Sequence, residues 1–234
     1  MGKKRSPAYK RTKRFLKQLV GQDVWSKAQV SINQLRFGDW VICPDTINAQ
    51  SVVYSLGVGE DIDFDKQLIK QFDVLIHAFD PTPNSIEWLK TKGISENFDF
   101  HPFGISILDG ELKLYPRVNR RGRKSKVMYT LIDGGGTQEG SITINVKQLP
   151  TVMAELGHNT IDLLKMDIEG AEFDVLDQIL DVDIDIRQIL VEFHHRFKGI
   201  GKARMSQMLK RMDAAGYKIF FMDDRGWNYS FIKV

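Results

Sequence analysis

From residue 51 onward, short apolar runs alternate with segments whose apolar side chains recur at helical spacing. Residues 51–56 and 73–79 have the apolar character of buried strands, and between them Phe64, Leu68 and Phe72 recur at the spacing of one helix face. Alternating strands and helices are typical of βαβ units, in which neighbouring strands run parallel and helices cover the sheet. The alternation therefore predicts an α/β fold with a doubly wound, mainly parallel sheet.

The C-terminal part continues this pattern and closes it with antiparallel strands. Residues 161–166 are almost continuously apolar until Lys165, as expected for a central strand that helices cover on both faces. Residues 188–193 predict the next strand. Residues 217–222 and 228–234 flank a polar turn that contains Gly226, and this arrangement predicts a hairpin at the end of the sheet.

The middle of the chain predicts a third strand and a small insertion. Thr82 and Pro83 form a helix start, with threonine as N-cap and proline at the first helical position. Residues 98–105 predict the next strand. Residues 111–115 and 141–146 are expected to pair as a small antiparallel insertion around a polar loop.

Length and composition indicate one globular domain. The chain has 234 residues, of which 42% are hydrophobic and 27% charged, values that are ordinary for a globular protein. No apolar run approaches the roughly 20 residues that span a bilayer, and no secretory signal is apparent. Cys43 is the only cysteine, which excludes an internal disulfide. We therefore expect a cytoplasmic protein without a transmembrane segment, and its oligomeric state stays open.

The basic residues are concentrated at the N-terminus. Eight of the 33 lysines and arginines precede the first acidic residue, Asp23, which leaves 25 basic against 30 acidic side chains in the remainder. We therefore divide the chain into a basic N-terminal tail or helix, residues 1–22, and one domain, residues 23–234. The simplest expectation for the tail is a solvated, poorly ordered terminus, with nucleic acid or an anionic surface as the alternative partner.

A glycine-containing turn between the first strand and the first helix predicts a nucleoside cofactor. Gly57 and Gly59 follow Leu56, and Asp80 ends the next strand, where a carboxylate can accept the two ribose hydroxyls. Acidic residues crowd the following helix start, and Ile62 replaces the third glycine of the dinucleotide motif. A pyrophosphate would be repelled there, whereas the cationic S-adenosylmethionine would not. The turn thus favours a methyltransferase over a dehydrogenase.

Two further segments carry a resemblance to a known family. The sequence IDLLKMDIEGAE at residues 161–172, followed by ILVEFH at residues 189–194, resembles the FkbM family of methyltransferases. The order of the glycine turn, Asp80, Phe103-Gly104 and these segments is also that of the family, over roughly residues 50–197. The glycine turn differs from the family's commoner form at Ser55, because that form has an aspartate at this position.

The resemblance implies a Rossmann-like fold of class I, S-adenosylmethionine as methyl donor, and an alcohol or sugar hydroxyl as acceptor. The strand plan above agrees with that class. We expect the cofactor to contact residues of the strand ends, namely Leu56, Gly57, Gly59, Asp80, Phe103, Gly104 and Asp167.

The expected reaction site lies at the ends of the two C-terminal strands. Asp167 and Glu169 could orient the acceptor hydroxyl or take its proton, although carboxylates also cap such turns. His194 is our preferred base, because an ordinary histidine accepts a proton near neutral pH, and a hydrogen-bonded structural histidine is the alternative. His195 is expected at the substrate. These carboxylates and His194 match no recognised metal signature, and we expect no metal.

A basic run in the insertion, including Arg121 and Arg123, is expected to bind an anionic acceptor such as a nucleotide sugar or phosphorylated glycan. The alternative is that this basic run is a solvent-exposed loop without a binding role. The sequence therefore favours O-methylation of a sugar, glycan or small-molecule hydroxyl. A nucleic-acid methyltransferase and a non-catalytic module that only binds the cofactor stay open as alternatives.

Overall fold

A computed structural model describes residues 6–118, 124–130, 140–197 and 199–234 of the chain. The strands within these ranges are β1 Leu35–Phe37, β2 Trp40–Ile42, β3 Val53–Leu56, β4 Ile76–Phe79, β5 Phe98–His101, β6 Gly104–Ser106, β7 Gly110–Val118, β8 Lys124–Thr130, β9 Ile142–Gln148, β10 Ile161–Met166, β11 Ile186–Glu192, β12 Tyr217–Met222 and β13 Asn228–Lys233. The α-helices are α1 Pro7–Leu19, α2 Asp63–Phe72, α3 Pro83–Lys90, α4 Leu149–Leu156, α5 Glu172–Asp181 and α6 Gly201–Ala214.

The main sheet has the predicted architecture. Its strand order is β12-β13-β11-β10-β3-β4-β5. Strands β11, β10, β3, β4 and β5 pair in parallel, and the antiparallel hairpin β12–β13 closes the sheet beside β11. The predicted doubly wound fold, its central strand β10 and its terminal hairpin are therefore confirmed.

Helices and the segment before β3 cover both faces of the sheet. One apolar cluster joins side chains of α4, α5 and α6 to the sheet, and the other joins β1, β2 and α2 to the opposite face. Consecutive residues of β10 alternate between the clusters, with Leu163 in one and Leu164 in the other. This two-sided burial explains why the strand is mostly apolar instead of alternating strictly with polar residues.

The predicted insertion forms a separate small sheet. Strands β7 and β9 pair antiparallel, and β7 also pairs with β8. The prediction of one strand over residues 98–105 was wrong, because the chain turns between β5 and β6 at Pro102. Proline has no N–H to donate to a neighbouring strand, and Phe103 N instead donates to His101 O in a tight turn. As a result β5 belongs to the main sheet, whereas β6 pairs with β9.

The basic N-terminal segment contains a helix that packs against the hairpin. Arg14 on α1 is 7% exposed, and its guanidinium donates to Ser26 Oγ at 2.8 Å and Tyr229 Oη at 3.1 Å. Gln18 donates to Val24 O at 2.8 Å. This arrangement differs from the expected solvated, poorly ordered terminus, because the buried Arg14 and Gln18 hold the helix to the domain. No described helix has the length and apolar character that crossing a membrane would need.

Candidate functional site

A cavity of about 480 Å³ opens at the carboxyl ends of β3, β4 and β10. The small sheet forms its opposite wall through apolar side chains, among them Leu112, Leu114 and Ile144. A volume of this size lies within the roughly 300–1,000 Å³ of small-molecule sites. Ligands of doubly wound sheets bind at this end of the strands, so the cavity is the candidate site.

The glycine turn forms the floor of the cavity beside the central strand. Gly57 has φ +80°, and a Cβ at this position would lie 1.8 Å from Asp167 O. Its N–H donates to Phe79 O at 2.9 Å. Gly59 has φ +58° with open space around it. Only glycine therefore allows β3 and β10 to approach each other this closely.

Asp80 connects the glycine turn to the start of α3. Its carboxylate accepts hydrogen bonds from Gly59 N at 2.8 Å, Thr82 N at 2.9 Å and Thr82 Oγ1 at 2.6 Å. The side chain is buried at the cavity wall. Since a carboxylate has about four acceptor positions, one remains for a ligand hydroxyl. Asp80 can therefore hold both the turn and a ribose.

A buried charge that was not predicted as part of the site lies directly beneath the turn. Lys165, at the end of β10, is 4% exposed, and its Nζ donates to Gly57 O at 2.8 Å. Burial raises the pKa of Asp65 on α2, against the opposing effects of the nearby Lys165 and Ser55. A lysine within an apolar strand was the available signal, because buried charges are rare unless they are paired. Lys165 fixes the carbonyl of the glycine turn.

The turn between β10 and α5 presents two carboxylates to the cavity. Asp167 and Glu169 both line it, and Glu169 adopts φ +53° before Gly170. Glu172 is fully buried and accepts hydrogen bonds from Ile168 N at 3.2 Å and Gly170 N at 3.1 Å. The carboxylate of Glu172 thus holds the turn that carries the other two.

His194 lies behind these carboxylates and is not among the residues that line the cavity. Its Nδ1 is 2.8 Å from Glu172 Oε1, and its Nε2 is 3.3 Å from Glu169 Oε2 and 3.9 Å from Asp167 Oδ1. Burial alone would lower the pKa of His194, but Glu172, Glu169 and Asp167 outweigh it and raise the pKa to about 9. The imidazole is therefore protonated at neutral pH, whereas the prediction from sequence assumed an ordinary neutral histidine.

This raised pKa predicts a pH-dependent contribution to stability. The folded protein holds the proton of His194 up to about pH 9, whereas an unfolded chain releases it near pH 6.5. The contribution is complete below pH 6.5 and is lost as the pH rises through 9. Between pH 6.5 and 9 we expect the wild type to lose on the order of 3 kcal/mol more unfolding free energy than the variant His194→Gln. Urea denaturation of both proteins at several pH values between 7 and 10 tests this. An equal fall of the unfolding free energy with pH in the two proteins would contradict the prediction.

Glu192, at the end of β11, is an ionisable group near Asp167 and is not among the residues that line the cavity. Burial, together with Asp167 and Glu169, raises the pKa of Glu192 to about 7. Met166 pairs with Val191 across β10 and β11, so Asp167 and Glu192 follow at neighbouring strand ends. A carboxyl group that titrates near neutral pH can exchange a proton during catalysis.

Several predicted site residues lie elsewhere. His195 is 2% exposed and lies 3.4 Å from the fully buried Asp23 instead of at the cavity. Burial would raise the pKa of Asp23, but the nearby His195 and a hydrogen bond from Arg196 lower it to about 2. Phe103 packs against Phe79 and His101 and does not line the cavity. Arg121 and Arg123 lie outside the described residues. The cavity does contain the remaining predicted cofactor contacts, Leu56, Gly57, Gly59, Asp80, Gly104 and Asp167.

Comparison with known proteins identifies related sequences over most of the chain. The profile of the family described as "Methyltransferase FkbM domain" matches residues 48–219. The human "Probable methyltransferase-like protein 24" is 26% identical over 170 residues, which are 68% of this chain and 39% of that protein. The rat protein of the same name gives the same values. The chain therefore matches well under half the length of these relatives.

Two solved structures have a similar chain path at low sequence identity. A methyltransferase FkbM from Methylobacillus flagellatus KT is 10% identical with a TM-score of 0.48, over 80% of this chain and 44% of that one. The Methanococcus jannaschii fibrillarin pre-rRNA processing protein is 12% identical with a TM-score of 0.48, over 90% of this chain and 86% of that one.

Proposed function

The chain belongs to the FkbM methyltransferase domain family, and on that premise we propose that it transfers the methyl group of S-adenosylmethionine to a hydroxyl group of a sugar, glycan or other small molecule. The proposal assigns the cofactor to the glycine turn and the acceptor to the carboxylates after β10.

One observation carries this proposal. The cavity that contains Gly57, Gly59 and Asp80 also contains Asp167 and Glu169. A cofactor held by the turn would therefore bind next to ionisable groups that can handle the acceptor's proton. A module that only binds the cofactor would have no need for this second set of groups.

The carboxylates supply what methyl transfer to oxygen requires. The reaction is an in-line displacement at a carbon that the sulfonium has already activated, so the protein must align the acceptor oxygen and remove its proton. Asp167 is the proposed base, with Glu169 beside it. His194 is protonated at neutral pH and in that state cannot act as the base. Its proposed role is to hold the two carboxylates through its positive charge.

The cofactor assignment predicts a specific loss of binding. Asp80→Asn keeps the side-chain shape but removes the negative charge that would strengthen the hydrogen bond from a ribose hydroxyl. We expect it to weaken binding of S-adenosylhomocysteine by about 1 to 3 kcal/mol, measured by calorimetry. Asp63→Asn is the matched control, because Asp63 is exposed in the first turn of α2. An equal loss in both variants would remove Asp80 from the cofactor site.

An acceptor screen tests the reaction itself. The protein is incubated with S-adenosylmethionine labelled in its methyl group and with panels of sugars, nucleotide sugars, phosphorylated glycans and short RNAs. We expect label on a hydroxyl of a small acceptor. If that acceptor is anionic, Arg121→Ala with Arg123→Ala should raise its KM more than that of a neutral acceptor. Turnover of none of the small acceptors, with transfer to RNA, would contradict the proposal.

A nucleic-acid acceptor is the second candidate, and α1 is the observation that favours it. The helix presents exposed basic side chains, namely Lys13 and an Arg11 that pairs with Asp224, and Arg14 fixes it to the hairpin beside β11. If this candidate holds, removal of these charges would abolish a salt-sensitive association with RNA, because phosphate contacts release counterions.

A further inference from the structure

A second cluster of ionisable side chains lies at the β4–β5 edge of the main sheet, outside the lining of the cavity. His77 on β4 pairs directly with Asp99 on β5, and His101 follows two residues later. Residues two apart on a strand share a face, so the three side chains lie on the same side of the sheet. His77 is buried, whereas the side chain of Asp99 is 47% exposed.

The three side chains direct one ligand atom each toward a common point. His77 Nδ1 is 3.1 Å from Asp99 Oδ2, His101 Nε2 is 3.0 Å from the same oxygen, and the two nitrogens are 3.4 Å apart. The atoms therefore form a nearly equilateral triangle.

We propose that His77, Asp99 and His101 bind a divalent transition-metal ion, with Zn²⁺ as the representative ion. Zinc has metal–ligand distances of about 2.0–2.2 Å to imidazole nitrogen and carboxylate oxygen, which in a tetrahedron separate the ligand atoms by about 3.3 Å. The three distances in the structure, 3.0, 3.1 and 3.4 Å, fit this separation. Two imidazoles and one carboxylate are also a common donor set for such ions.

The surroundings orient these ligands and leave one side of the triangle accessible. The His101 ring stacks on Phe79 at a centroid distance of 4.7 Å. The ring of His158 lies 5.1 Å from that of His77, and its Nδ1 is 2.8 Å from Tyr54 Oη. The exposed side, at Asp99, leaves room for water as the fourth ligand.

Asp167, Glu172 and His194 also offer ligand atoms within 4.8 Å of one another. There, however, Glu172 already accepts two backbone hydrogen bonds and contacts His194 at 2.8 Å. The carboxylate is thus committed to the turn and to the imidazolium. This second group supplies a matched control for the proposed site, because each group contains one partly exposed aspartate.

The test is calorimetric titration of the chelator-treated full chain with zinc chloride. We expect one equivalent of Zn²⁺ to bind the wild type, Asp99→Asn to bind at least roughly 10-fold more weakly, and Asp167→Asn to bind like the wild type. His101→Ala serves as a second ligand variant. Zn²⁺ should also raise the melting temperature of the wild type and of Asp167→Asn, and raise that of Asp99→Asn less.

Absence of saturable zinc binding by the wild type would overturn the proposal. The opposite pattern, with binding lost in Asp167→Asn and kept in Asp99→Asn, would also overturn it. Neither readout depends on methyl transfer, so the result is independent of the proposed function.

Discussion

Replacement of Asp167 with asparagine is expected to lower the rate of methyl transfer by roughly 10²- to 10⁴-fold. The substitution keeps the size of the side chain but removes the group proposed to take the acceptor's proton. It also removes one of the carboxylates that face His194 Nε2, at 3.9 Å. Single-turnover measurements with saturating cofactor would separate this loss from any change in cofactor affinity.

The matched control for Asp167→Asn is Asp174→Asn. Asp174 lies in the first turn of α5 and its side chain is 64% exposed, so the same chemical change there should leave turnover within about twofold. Glu169→Gln tests the neighbouring carboxylate. Full turnover of Asp167→Asn, together with a large loss in Glu169→Gln, would transfer the role of base to Glu169. Full turnover of both variants would show that neither carboxylate acts as the base, so that the protein would contribute only by aligning the acceptor.

Gly57→Ala is expected to have the largest effect on folding and cofactor binding together. A Cβ at Gly57 would lie 1.8 Å from the carbonyl oxygen of Asp167, and the backbone there has φ +80°. The left-handed conformation and the clash together should cost about 2 to 5 kcal/mol of unfolding free energy. Because the clash moves β10 away from β3, binding of S-adenosylhomocysteine should also be lost.

Two other glycines separate the clash from the conformational effect. Gly59 has φ +58°, and a Cβ added there would have no neighbouring atom within 4 Å, so Gly59→Ala should lose only about 1 to 2 kcal/mol. Gly93 has neither constraint, and Gly93→Ala should be close to neutral. In denaturant unfolding, the loss of unfolding free energy should therefore be largest for Gly57→Ala, smaller for Gly59→Ala and smallest for Gly93→Ala. Equal stability of the Gly57 and Gly93 variants would contradict the close approach of the two strands.

The fold could be predicted because burial leaves a local pattern in the sequence. Strand β10 is buried on both faces and reads as an apolar run, and the hairpin is marked by its polar turn. The break between β5 and β6 was missed, because Phe98 and Phe100 before Pro102 and Phe103 and Ile105 after it all recur at the spacing of a strand. The packing of α1 was also missed, since it depends on Arg14 reaching Tyr229, a contact between distant parts of the chain.

The sequence predicted the site residues that lie at strand ends, but not the contacts between them. Most of the predicted cofactor contacts line the cavity, because glycines and aspartates at strand ends have a position that the fold determines. The state of His194 could not be predicted, since its pKa depends on Glu172 and two further carboxylates that converge on it in space. His195 gave no sign of its buried partner Asp23, which precedes it by most of the chain.

Calorimetric titration of the wild-type protein with S-adenosylhomocysteine and, separately, with NAD tests the central claim most directly. We expect one equivalent of S-adenosylhomocysteine to bind in the cavity and no heat of binding with NAD, because the acidic start of α2 would repel a pyrophosphate. Saturable binding of NAD, with none of S-adenosylhomocysteine, would contradict the assignment of the cofactor.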